Sequence, residues 1–284
     1  GGVRSSAQMI SYEVALGLSL IPVIILAGNV TLTEIVWQQQ RMGLWFVLPL
    51  SLAFLLFVIS SFAETNRLPF DLPEAESELI TGYHTEYSAM KFSMFFIAEY
   101  AHVLTASALM ATLFLGGWSI PFWDGDHMFW HEGVLISGFS VMGEPIAASP
   151  SWWKTLLTFI AFSIKTSFFV LVFIWVRWTL PRFRYDQVMH LGWKVMLPTA
   201  LIYLMLIAST VLTLDQMRVE GLLFGVVLTG VSALATLVFI FVVDRDRIIT
   251  GAAAGNPSTR GGRVEIGATN ALTSPAENSQ LKGG

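Results

Sequence analysis

The sequence predicts an all-α, polytopic transmembrane helix bundle of about six spans. Three observations carry this. Only 13% of the residues are charged and 54% are hydrophobic, against about 25% charged in ordinary soluble domains. Several uninterrupted apolar runs approach the ~20 residues with which a helix crosses the hydrocarbon core. Lys and Arg are also divided unevenly between the connecting segments, as in proteins whose loops are sorted across a bilayer. A backbone in lipid must satisfy its own polar groups, which leaves helices or closed barrels. The alternating ten-residue strands of a barrel are absent.

The spans follow in order. The first is expected over Val14–Val30, with Pro22 inside it. Leu44–Phe62 is apolar, with Pro49 near its start, where a helix tolerates proline. Phe92–Trp118 is long and carries Glu99 and His102, and Thr155–Trp175 carries Lys165. Val195–Leu214 and Gly221–Val243 hold no charge. Residues 1–250 are thus read as the bundle. The tail 251–284 is rich in Gly, Ala, Ser, Thr and Asn without apolar periodicity and is expected to be disordered. Gly116–Ser151 is dense in Trp and Phe, the composition of an interface belt. No internal repeat is visible, which weighs against transporter folds built from repeats.

Suppose the segment between the second and third spans faces the cytoplasm, or an organelle's matrix. Twelve Lys and Arg then lie inside and three, Arg41, Lys154 and Arg218, outside; without the tail the bias is nine to three. This orientation puts the segment 64–91 and the C-terminal tail on the cytoplasmic side.

That segment contains "ETNRLPFDLPEAESELITGYHTEY", Glu64–Tyr87, with six carboxylates (Glu64, Asp71, Glu74, Glu76, Glu78, Glu86) and one arginine, Arg67. Asp71 suits an N-cap, Pro73 a first turn and Glu74 a capping box, so an amphipathic surface helix is expected from Asp71 to about Gly82. The commonplace reading is a solvated acidic loop. Against it, Glu64 ends an apolar span, and Arg67 is within reach of Glu64 if the helix continues. Pro69, Phe70, Leu72 and Pro73 also tie the loop down.

Glu99 lies inside a span, where charge is costly and usually faces the bundle interior or a water path. A carboxylate there can take and give protons. The alternative is a structural hydrogen bond, with His102 one turn on. Lys165 invites two readings: a salt bridge to Glu99 or another carboxylate, or a proton-path element. Glu13, Glu64 and Glu99 come from three helices at one end of the bundle, a candidate carboxylate chain with the acidic loop at its mouth.

The chain has no cysteine, so it cannot build a disulfide, an iron–sulfur cluster or a thiolate metal site alone. No phosphate loop or nicotinamide fingerprint is present, and no nucleic-acid partner is expected. His127 and His131 in "HMFWHE" have a zinc-compatible i, i+4 spacing, but no third ligand is evident and an interface loop is the reading; no metal is expected. Such a chain can move protons or bind a lipophilic molecule, but cannot carry electrons by itself.

"SAQMISYE" (Ser6–Glu13), the stretch Glu64–Phe92 and "FFIAEYA" (Phe95–Ala101) resemble the family of the H subunit of proton-pumping NADH:quinone oxidoreductase, respiratory complex I, whose mitochondrial counterpart is NADH dehydrogenase subunit 1. The resemblance is strongest over Ser6–Tyr100 and continues more loosely to about Leu214. It implies a membrane subunit, without a redox centre of its own, where the membrane arm joins the hydrophilic arm in an inner or plasma membrane. Quinone would be the substrate, with FMN and iron–sulfur clusters on partner subunits, membrane and hydrophilic. By motif match, Glu64, Arg67, Phe70 and Asp71 fall on the quinone chamber. Glu13, Glu64, Glu76 and Glu99 fall on the acidic path leading into the membrane. Glu74, Glu78 and Glu86 match other acids of the loop; His102 and Lys165 are further candidates. The family's earlier spans and Gly/Pro-rich loop do not occur here, so part of the quinone entrance is expected to be missing. The family's span count leaves five for this stretch, and six are counted, Gly221–Val243 being the extra one.

Three rivals follow. A related subunit of membrane-bound hydrogenases couples to ion pumping without quinone, although Arg67–Asp71 favours the quinone version. A stand-alone proton-coupled transporter would work without partners. A structural anchor would need none of the carboxylates.

Overall fold

The computed structural model of the chain describes residues 2–67, 69–71, 89–120, 129–131, 134–139, 145–147, 152–181, 183–218 and 221–245. The chain divides into two units, Gly1–Ile249 and Thr250–Gly284. The second unit, and with it the tail expected to be disordered, lies outside the described residues. So do the expected surface helix after Asp71, with Glu74, Glu76, Glu78 and Glu86, and the residues His127 and Glu132.

The bundle is helical, as its composition requires. Its elements are α1 (Gly2–Ala27), α2 (Leu32–Met42), α3 (Ser51–Glu64), α4 (Ala89–Phe114), α5 (Trp152–Thr179), α6 (Tyr185–His190), a π-helical turn (Leu191–Met196), α7 (Leu197–Gln216) and α8 (Leu222–Arg245). Among the described residues five stretches are long and apolar enough to cross a membrane: Ser5–Ala27, Met90–Phe114, Trp152–Thr179, Tyr185–Gln216 and Leu223–Phe241. Between α4 and α5, β1 (Phe129–His131), β2 (Val134–Phe139) and β3 (Pro145–Ala147) form an antiparallel sheet in that order. Phe129 pairs with Ile136 and Ile136 with Ala147.

Two boundaries differ from expectation for physical reasons. The helix α1 begins well before Val14, because Gln8 and Ser11 turn into the bundle and are buried. The expected span Leu44–Phe62 yields only the 14-residue α3. Gly43, at φ 68°, ends α2, and turns fill residues 44–50 up to Pro49 and Leu50. At 1.5 Å per residue α3 is about 21 Å long, short of the ~30 Å core. Non-helical backbone at such depth needs partners inside the protein, and it has them. Val47 N–H donates to Phe114 O at 3.0 Å, and Phe46 N–H to Gln39 Oε1 at 3.2 Å. The helix is central: α1, α4, α7 and α8 pack on it, and Leu52, Ala53, Leu56 and Phe57 are buried.

The amphipathic α2 had no counterpart in the sequence reading. It buries Ile35, Val36, Gln39 and Met42. Gln39 Nε2 donates to Leu113 O at 3.0 Å and Thr112 O at 3.3 Å, serving carbonyls that the end of α4 leaves open.

The last long stretch is helical from Tyr185 to Gln216 but loosens into a π turn ahead of Pro198. Proline lacks an N–H and its ring crowds the preceding turn; the wider register accommodates it, with Leu197 N–H donating to Gly192 O. A Cβ at Gly192 would stand 3.1 Å from Ser11 Oγ and 3.5 Å from the Tyr12 ring, so the missing side chain lets α1 approach. Tyr12 OH then donates to Val188 O at 2.9 Å.

A polar seam joins α8 to the bundle. Ser51 Oγ lies 3.0 Å from Ser232 Oγ and 2.9 Å from Thr236 Oγ1, and Tyr203 OH lies 2.9 Å from Ser232 Oγ. Small residues and hydroxyls of this kind hold helices together in lipid, at roughly 0.6 kcal/mol per hydrogen bond.

Candidate functional site

The site is built where α3 stops. Thr65 Oγ1 donates back to Ser61 O at 3.0 Å and Phe62 O at 3.2 Å, closing the last turn. Asn66 then adopts φ 49°, a left-handed conformation that asparagine tolerates better than most residues. This turn breaks the helix that an Arg67–Glu64 pair would need. Arg67 swings instead to α4, its Nε 2.6 Å from Glu99 Oε1, with the two side chains 12% and 18% exposed. The guanidinium carbon stands 4.4 Å from the centroid of the Tyr100 ring, a cation–π geometry. One turn along α4, His102 Nε2 lies 3.7 Å from Glu64 Oε1. Two adjacent acid–base contacts therefore cross between the end of α3 and α4.

The loop bearing Arg67 is clamped. Phe70 N–H donates to Arg67 O at 2.8 Å, and Phe183 N–H to Pro69 O at 3.2 Å. The buried amide of Gln8 spans the turn from α1: its Nε2 donates to Ala63 O at 2.9 Å and Phe70 O at 3.0 Å. The Phe70 ring is buried between Tyr12 and Phe183, both 5.6 Å away centroid to centroid. A short polar loop at the end of an apolar helix is thus held by one amide and one aromatic plug.

Of the site residues read from the sequence, Glu64, Arg67, Glu99 and His102 come together, and Phe70 anchors the loop. Asp71, half-buried, ends the described stretch of the loop. Glu13 is on the exposed face of α1 and makes no salt bridge among the described residues. Glu74, Glu76, Glu78 and Glu86 lie outside the described residues. Lys165 departs from the expected carboxylate pairing. Its Nζ donates to Leu115 O at 2.7 Å, Gly117 O at 2.9 Å and Ser119 O at 2.6 Å, and sits 5.0 Å from the centroid of the Trp45 ring. The cation closes the C-terminal end of α4, where open carbonyls concentrate negative charge. Along α4 this is about 24 Å from Glu99.

Sequence reasoning missed Gln8, Asn66 and Gln39. Gln8 carried a usable signal: it shares a helical face with Tyr12 and Ala15, both buried. Asn66 carried a weaker one, as a residue prone to left-handed turns beside an expected helix end.

A helix bundle of membrane-spanning length, with acid–base contacts held between two helices near one end of α3, defines an integral membrane protein with a charged intramembrane cluster. The NADH dehydrogenase family matches residues 1–208. The chain belongs to this family, that of the H subunit of NADH-quinone oxidoreductase. It is 48% identical over 212 residues to NADH-quinone oxidoreductase subunit 8 of Rhodothermus marinus, covering 73% of this chain and 58% of the relative. It is 48% identical over 212 residues to the H subunit of the Salinibacter ruber oxidoreductase, covering 73% and 57%. It is 51% identical over 210 residues to the H subunit of the Deinococcus deserti oxidoreductase, covering 74% and 47%. The chain spans about half the length of the curated relatives it matches. The family match ends within α7, so α8 lies beyond it.

Proposed function

We propose that the chain is a membrane subunit of NADH-quinone oxidoreductase that forms part of the quinone-binding chamber and couples quinone reduction to proton translocation. The observation that carries this reading is the Arg67–Glu99 pair, with its loop held between α1, α3 and the start of α6. Arg67 Nη2 is buried and makes no hydrogen bond among the described residues. A guanidinium fixed by Glu99 and Tyr100 keeps a donor for an oxygen of a bound headgroup, and Arg presents its donors in a rigid fork.

In this reading partner subunits bearing FMN and iron–sulfur clusters supply the electrons. Negative charge that gathers on the headgroup competes with Glu99 for Arg67. Glu99, its cation drawn away, accepts a proton, and Glu64 with His102 is the next acid–base contact along α4. Protons pass among Glu64, Glu76, Glu13 and Glu99 toward neighbouring membrane subunits. Glu13 and Glu76 enter this path on the family resemblance. The chain sits in an inner or plasma membrane with the Glu64–Lys91 segment and the tail on the cytoplasmic side, as the Lys and Arg bias supports.

The test uses the full-length subunit in its intact complex. Glu64→Gln and Glu99→Gln each lower quinone reduction and vesicle acidification together, by about a hundredfold where proton transfer limits the rate. A chain that merely anchors its neighbours leaves both activities at wild-type levels.

A further inference from the structure

A cavity of about 300 Å³ opens beside Phe70. Its walls come from α3 (Val58, Ile59, Phe62), α5 (Val176), the chain entering α6 (Phe183) and α8 (Phe239). The one polar side chain in the lining, Gln187, already accepts the Arg184 N–H at 3.0 Å. A water needs two to four polar partners, and these walls do not offer them. A length of hydrocarbon chain suits them.

Basic residues flank the lining residues near α6 in the chain. Arg177 stands one turn before Leu180 at the end of α5, and Arg184, the extended N-cap of α6, directly follows Phe183 and precedes Gln187 by three residues, so each adjoins lining residues in the chain. Both arginines are exposed, and neither pairs with a carboxylate among the described residues. Asp186, in the first turn of α6, is exposed and pairs with neither among the described residues. A neutral headgroup has no use for two unpaired guanidinium groups, whereas a phosphate takes them as bidentate donors. Basic pockets between transmembrane helices hold anionic lipid headgroups in this way.

We infer that the cavity and its rim form a binding site for one anionic phospholipid, an acyl chain lying between α3, α5 and α8 and the phosphate resting against Arg177 and Arg184. Phe239 belongs to α8, so the site draws on a helix beyond the family match. The bound chain would back Phe70 and with it the loop bearing Arg67. The inference requires only that the bundle lies in a membrane and does not rest on the proposed function.

The test is native mass spectrometry of the full-length protein, delipidated and then offered phosphatidylglycerol or phosphatidylcholine with matched acyl chains. Wild-type protein retains one phosphatidylglycerol with a preference on the order of thirtyfold, from about fivefold for each basic residue near the headgroup. Arg177→Gln with Arg184→Gln, a change confined to exposed positions, removes the preference while some binding of both lipids survives. Ile59→Trp fills the cavity and abolishes retention of both. Equal retention of the two lipids by wild-type protein overturns the inference, as does retention that neither variant changes. Displacement of the phospholipid by a quinone bearing its isoprenoid tail also overturns it.

Discussion

Replacing Arg67 by Met, Glu99 by Leu, and then both together separates the structural from the chemical role of their ion pair. With Nε and Oε1 at 2.6 Å, the charge centres are about 4 Å apart, which gives roughly 4 kcal/mol of attraction at an effective dielectric of 20. The side chains are 12% and 18% exposed, so solvent screens the pair little. Removing one partner leaves the other charge nearly buried, and each single variant is expected to lose about 3 kcal/mol. For Arg67→Met this includes about 0.5–1 kcal/mol of cation–π contact with Tyr100. The double variant replaces the pair by apolar side chains and is expected to lose about 2 kcal/mol rather than the ~6 of an additive sum, a coupling of about 4 kcal/mol, above the ~3 usual for contacting residues and of the size of the pair's attraction. For a chain of this size about 3 kcal/mol lowers the melting temperature by roughly 6–12 °C, measured by tryptophan fluorescence of the full-length protein in nanodiscs. Strict additivity of the two substitutions would refute the reasoning, as would a single variant that melts with the wild type. On the proposed function, the double variant should recover stability without recovering quinone reduction in the assembled complex.

Three further outcomes test the supports of the site. Asn66→Gly should melt within about 0.5 kcal/mol of the wild type, and Asn66→Val should lose about 1–2 kcal/mol, because a β-branched residue resists φ 49°; equal losses would dismiss the left-handed turn as the cause. Lys165→Met removes the donor from three carbonyls and should cost about 2 kcal/mol, with faster amide exchange around Leu115–Ser119; unchanged exchange would show that the cap is dispensable. Gly225→Ala places a Cβ 2.7 Å from Leu44 Cδ1 and should cost about 1–3 kcal/mol, and Leu44→Ala should restore most of the loss if that contact is its source.

Much of this was legible in the sequence, because lipid imposes long-wavelength patterns. Apolar runs of span length, the dearth of charge and the skew of Lys and Arg are properties of consecutive residues. They announced the helices α4, α5, α7 and α8, and the bundle as a class. Glu99 stood out because a carboxylate within such a run is expensive, and it does sit in the charged cluster. What failed were features that depend on contacts between distant segments. The run Leu44–Phe62 looked like one span because its residues are apolar throughout. Whether its first turns are helical depended on Gln39 and Phe114 being there to take the backbone groups of residues 46 and 47.

Charge pairing shows the same division. Residue types and spacing could say that Glu64, Arg67, Glu99 and Lys165 were too costly to stand alone in or near lipid. They could not say which would meet, since a pairing is decided by where each chain segment turns. Asn66 turns left-handed and sends Arg67 away from Glu64 to Glu99. The end of α4 arrives beside α5 and offers Lys165 carbonyl oxygens in place of a carboxylate. The sequence by itself therefore determined the membrane class, the helical runs and the inventory of charges, because desolvation acts on each residue locally. Only the tertiary structure decided the partners, because hydrogen bonds and ion pairs reach a few ångströms and the groups they join here lie as far as 185 residues apart along the chain.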